Sequence, residues 1–78
     1  MAAADLVAYL ARGLVDDVEA VRVEEVERDG ALVLQLHVAK EEVGKVIGRQ
    51  GRIARALRAI VRASGARSHH RVVLEILE

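Results

Sequence analysis

Seventy-eight residues hold one small domain, and the absence of cysteine removes disulfides, thiolate zinc sites and cysteine nucleophiles together. No apolar run approaches the ~20 residues of a membrane span, so the chain reads as a single cytoplasmic domain over residues 1–78 with no membrane association. Its formal net charge of zero hides a split: residues 1–44 carry ten acids against four bases, residues 45–78 carry eight bases against two acids, and no acid occurs from Lys45 to Arg71.

In chain order, Leu6, Val7, Leu10 and Leu14 share one side of a helix expected from Ala3 to Leu14, with Gly13 loosening its last turn. Val21 and Val23 alternate with polar neighbours, and Val26 breaks that period after Glu24-Glu25, which predicts a bulge in a first strand. Asp29-Gly30 is a two-residue hairpin turn. Leu32, Leu34, Leu36 and Val38 then alternate with Val33, Gln35 and His37 as a second strand with one buried face. A short helix is expected from Lys40 to Ile47, then a glycine loop, then a helix from Arg52 to Ser64. In that helix Ile53, Leu57, Ile60 and Val61 form one face, while Arg52, Arg55, Arg58 and Arg62 form another. Ser64-Gly65-Ala66 ends it, and Val72, Leu74 and Ile76 alternate with Val73, Glu75 and Leu77 as a last strand. The order is α-β-β-α-α-β. Helices covering one face of a three-stranded sheet would leave Val33, His37 and Val73 towards its open side.

The most informative segment is Val46-Ile47-Gly48-Arg49-Gln50-Gly51-Arg52-Ile53, two glycines bracketing a polar pair between apolar flanks. Glycine lets a main chain approach another polymer's backbone without a Cβ in the way, and a helix starting there aims N–H groups at an anion. Together with the acid-free basic run, this predicts a nucleic-acid partner. The candidate binding residues are Lys45, Val46, Ile47, Gly48, Arg49, Gln50, Gly51, Arg52, Ile53 and Arg55. Arg49, Gln50, Arg52 and Lys45 would reach phosphates or sugars, and bases would lie over an aliphatic groove beside Val46, Ile47 and Ile53 towards the last strand. Arg55, Arg58 and Arg62 divide evenly between further phosphate contacts and a solvated helix face. With Tyr9 the only aromatic, base-stacking platforms are excluded.

The segment carries the signature of the KH domain: an aliphatic residue, Ile, Gly, two variable residues, Gly, two more and Ile. The element order resembles the prokaryotic type II arrangement, an α+β fold with three helices packed on one face of a three-stranded sheet. Along its full length the chain is similar to the stand-alone bacterial KH-domain protein A family, through Leu14-Val15-Asp16, Lys45 to Ala54, Ala63-Ser64-Gly65-Ala66 and Leu74-Glu75-Ile76, with Gly13 as a departure. The resemblance implies an RNA-binding protein and RNA chaperone, acting as a homodimer or with a larger KH-containing partner, in a family linked to cell elongation and cell-wall homeostasis.

Catalysis finds no support: Ser64 and Ser68 have no acid between Lys45 and Arg71 to complete a triad, and Gly44-Lys45 lacks the spacing of a nucleotide-binding loop. No cofactor is expected. Asp16-Asp17, Glu24-Glu25 and Glu41-Glu42 read as solvated charge, and His69 and His70 as exposed loop histidines that point opposite ways and bind no metal. The competing functions are a protein-interaction module, with RNA binding secondary, and a binder of single-stranded DNA.

Overall fold

The computed structural model describes residues 2–67 and 71–77. Helix α1 spans Ala3–Arg12 and buries Val7, Ala8 and Ala11. It stops short of Leu14: the Gly13 N–H is shared between the carbonyls of Tyr9 and Leu10, and Leu14 bonds three residues back to Ala11. The tightened exit still leaves Leu14 packed against the core.

Strand β1, Arg22–Arg28, and strand β2, Ala31–His37, form an antiparallel hairpin. Asp29 at φ 52° and Gly30 at φ 78° are both left-handed, the backbone of a type I′ turn, whose twist matches the strands it joins. The expected bulge is absent: the register runs unbroken from Arg22 opposite His37 to Arg28 opposite Ala31. Val26 breaks the alternation because it serves the other face of the sheet, where it pairs with Val33.

After a 3-10 turn at Lys40–Glu42, helix α2 covers only Val43–Ile47, so the expected single helix is divided in two. Helix α3 spans Arg52–Arg67 and passes through Ser64-Gly65-Ala66 instead of ending there. Its buried stripe is Ala54, Leu57, Val61 and Gly65. Gly65 continues that stripe, and packing on the core side outweighs the ~1 kcal/mol that a helical glycine costs. Ile60 falls at the edge of the stripe and is 39% exposed, with Ala54 taking the buried place.

Strand β3, Val72–Leu77, lies parallel to β2, giving the sheet order β1-β2-β3. Leu34 and Leu36 from the central strand are fully buried and meet Val7, Val46, Leu57, Val61 and Leu74 in one core. Burying side chains of this size contributes roughly 1.5–3 kcal/mol each. Three helices therefore pack on one face of a three-stranded mixed sheet, the type II KH fold in the order α-β-β-α-α-β. Val33, on the opposite face, is nonetheless only 4% exposed. The Arg28 guanidinium donates across the central strand to Glu75 at 3.0 Å, and this bridge, with Val26 and Val73 as neighbours in register, covers it. On the same face His37 Nε2 lies 2.7 Å from Glu24 Oε1, off the line of an aligned hydrogen bond. Among the described residues no helix is long and apolar enough to cross a membrane.

Candidate nucleic-acid interface

The loop between α2 and α3 is shaped by three consecutive backbone demands. Gly48 has φ 78° and ψ 172°, a conformation closed to L side chains, which stops α2 while its N–H still bonds to Gly44 at 2.9 Å. Arg49–Gly51 make one 3-10 turn, closed by the Gly51 N–H donating to the Gly48 carbonyl at 3.1 Å. Gln50 at φ 56° and Gly51 at φ 74° then redirect the chain into α3.

The two glycines face different surroundings. A Cβ on Gly48 would lie 2.6 Å from Ile53 Cγ1, so this glycine is the contact that lets α3 close against α2. A Cβ on Gly51 would meet nothing within 4 Å. Gly51 is thus the position at which an incoming backbone can come close.

Arg49, Gln50 and Arg52 are exposed, and the Arg52 guanidinium donates to Gln50 Oε1 at 3.2 Å, tying the two sides of the loop together. Val46, by contrast, is fully buried, so it supports the loop from inside the core and is not a surface for bases. The accessible aliphatic groups are Ile47, 37% exposed, and the half-buried Ile53.

Lys45 is already engaged. Its ammonium donates to Asp16 Oδ2 at 2.9 Å and to Glu42 Oε2 at 3.0 Å, and those bonds, Asp16 first, raise its pKa above the ordinary lysine value. Glu42 is not solvated charge. It is 5% exposed and also accepts the backbone N–H groups of Asp16 at 2.7 Å and Asp17 at 2.9 Å. These two backbone donors, then Lys45, hold its carboxyl down at about 2. Sequence reasoning missed Glu42 because its partners are main-chain groups 25 and 26 residues away, which no side-chain pattern announces.

Beyond the loop, Arg55, Arg58 and Arg62 recur at helical spacing on one side of α3. Arg58 and Arg62 line a groove of about 250 Å³ with Arg71, Val72, Val73 and Leu74 of the last strand and its approach. The structure thus joins residues that the sequence had left on separate elements. Arg49, Arg52, Arg55, Arg58, Arg62 and Arg71 have no carboxylate partner among the described residues, whereas Arg22 and Arg28 in the first half are both ion-paired. This surface is a strip of uncompensated positive charge over aliphatic side chains, and an extended polyanion with apolar substituents fits it. His69 and His70 lie outside the described residues, as does Ser68. Among the described residues no three acidic or histidine side chains form a metal cluster.

Comparison with known proteins gives a consistent result. A family model described as KhpA/KhpB, KH domain, matches residues 4–76. A protein of Aquifex aeolicus named RNA-binding protein KhpA is 54% identical over 74 residues, covering 95% of this chain and 94% of that protein. Proteins of the same name from Treponema pallidum and Caldanaerobacter subterraneus are 51% and 44% identical, covering 95% and 94% of this chain and 92% and 97% of their own lengths. No solved structure gives a significant match.

Proposed function

The chain belongs to the KhpA/KhpB family of KH domains, and from that premise we propose that it is a non-catalytic binder of single-stranded RNA in the cytoplasm. The observation that carries this reading is the groove lined by Arg58, Arg62, Arg71 and Val72–Leu74, which borders the same helix, α3, that the Gly48–Gly51 loop opens. A phosphate would rest against Gly51, Arg49 and Arg52 would neutralise its neighbours, and the next bases would enter the groove over Val72–Leu74 between Arg58, Arg62 and Arg71. With aliphatic walls and no aromatic ring among the described residues of the groove, recognition falls mainly on the sugar–phosphate chain, and sequence preference is low. Weak and sequence-tolerant binding of this kind suits an RNA chaperone or post-transcriptional regulator. The test is a salt titration of single-stranded RNA and DNA of the same sequence: affinity for RNA that falls steeply with ionic strength supports the reading, and equal affinity for both strands moves it to single-stranded nucleic acid generally.

Assembly with a second KH protein, as a homodimer or heterodimer, belongs to the same proposal. Ile60, 39% exposed, lines a cleft of about 780 Å³ between α1 and α3 together with Leu6, Leu32, Ala63, Glu25 and Arg67. Val33 on the open face of the sheet is covered within the chain and offers a partner no surface. Light scattering at micromolar concentration checks the assembly, with a dimeric mass expected.

A further inference from the structure

Helix α2 is five residues long, too short to be stable by itself, yet it delivers the chain to the loop. Its end is set by Gly48 against Ile53 and its middle by Val46 in the core. Its start is set by Glu42, whose buried carboxylate gathers the main chain of Asp16 and Asp17 and the ammonium of Lys45. Resting on the proposed RNA-binding role of the loop, we propose that Glu42 is a positioning residue for the phosphate clamp and that Lys45 is its strut, not a phosphate ligand.

The geometry favours this division. Lys45 stands one turn before Gly48 and shares the positive surface, but two carboxylates within 3.0 Å already neutralise it. Moving it to a phosphate would take its ammonium away from a carboxylate that is 5% exposed, and buried charges stripped of a partner are costly. Arg49 carries no such restraint: its carbonyl accepts the Arg52 N–H, but its guanidinium has no partner among the described residues. Phosphates are therefore met by arginines on the loop, while Glu42 fixes the angle at which α2 presents it.

The experiment measures binding of a fluorescent 12-nucleotide oligouridylate across a range of KCl concentrations for Lys45→Gln, Arg49→Gln and Glu42→Gln, each well below its unfolding midpoint. Arg49→Gln is expected to flatten the slope of log K against log[salt] by about 0.7, one phosphate contact on a single strand. Lys45→Gln is expected to keep the wild-type slope. Glu42→Gln is expected to keep the slope as well but to bind roughly tenfold more weakly, as loss of a charged hydrogen bond converts into affinity; a purely structural role would leave the folded variant's affinity unchanged. A slope loss in Lys45→Gln equal to that in Arg49→Gln, or wild-type affinity in folded Glu42→Gln, overturns the proposal while leaving the RNA-binding loop intact. An unchanged slope in Arg49→Gln removes the loop reading itself and this role with it. Should Glu42→Gln fail to fold, the Lys45→Gln slope decides.

Discussion

Gly48 and Ile53 are in contact such that any side chain at Gly48 would begin 2.6 Å from Ile53 Cγ1. The two glycines of the loop are therefore unequal, one needed for packing and the other for access. Gly48→Ala is expected to destabilise the fold by about 2–4 kcal/mol, combining a strained left-handed backbone with overpacking. Removing the obstruction with Ile53→Ala in the same chain should recover only the overpacking part, leaving a coupling that a double-mutant cycle in urea unfolding measures.

Gly51→Asp should behave differently. The position is open, and aspartate tolerates positive φ better than most residues, so the cost in stability is expected to stay near ~1 kcal/mol. Binding of single-stranded RNA should nevertheless collapse, because a carboxylate replaces the bare backbone facing the phosphate. A folded Gly51→Asp protein with undiminished affinity would place the contact elsewhere.

The groove arginines should act as a set. Arg58→Ala, Arg62→Ala and Arg71→Ala are each expected to weaken binding to unrelated sequences alike, and every guanidinium withdrawn from a phosphate should flatten the salt slope by about 0.7. Arg67→Ala, whose side chain lines the other cleft, should leave RNA binding near wild type. Fluorescence titration of the four variants at two salt concentrations separates the groups.

Glu42 makes stability pH-dependent with a definite sign. Its carboxyl is held at about 2 when folded against an ordinary 4.5, so its contribution is fully present above about 4.5 and is lost as pH falls towards 2. Glu75, lowered by Arg28 and then Gln35, acts in the same direction. Thermal midpoints from pH 7 down to pH 2 should converge for wild type and Glu42→Gln, the gap closing below about 4.5.

Val33 is buried on the face of the sheet that carries no helix. Val33→Ala is expected to cost about 1.5 kcal/mol for the two carbon groups removed, less than Leu34→Ala on the helix-covered face, which should cost about 2–5 kcal/mol. Equal unfolding midpoints for Val33→Ala and wild type would show that the Arg28–Glu75 bridge does not shield it.

What the sequence made legible was periodic or local. Alternation in β2 and β3, the Asp29-Gly30 turn, and the glycine loop all announce themselves within eight residues, and the structure has each where expected. What it hid depended on distant partners. Val26 looked like an irregularity until Val33 stood opposite it. Glu42 looked solvated because nothing near it in sequence reveals the Asp16 and Asp17 amides. Ser64-Gly65-Ala66 has the composition of a helix end, yet Gly65 lies on the buried side of α3, and tertiary packing overrode propensity. Val46 was assigned to the binding surface by its place in the motif, although its side chain points into the core.

The strand order β1-β2-β3 has an electrostatic outcome for how the molecule meets its ligand. The glutamates of β1 sit two inter-strand spacings from β3, about 10 Å, just beyond the ~8 Å screening length of physiological salt. Under those conditions the groove presents nearly its own field, and an approaching polyanion is turned towards β3 before contact is made. In dilute salt the screening length grows past the width of the sheet, the acidic edge is felt alongside the arginines, and the gain in association rate on lowering the salt should level off instead of continuing to climb.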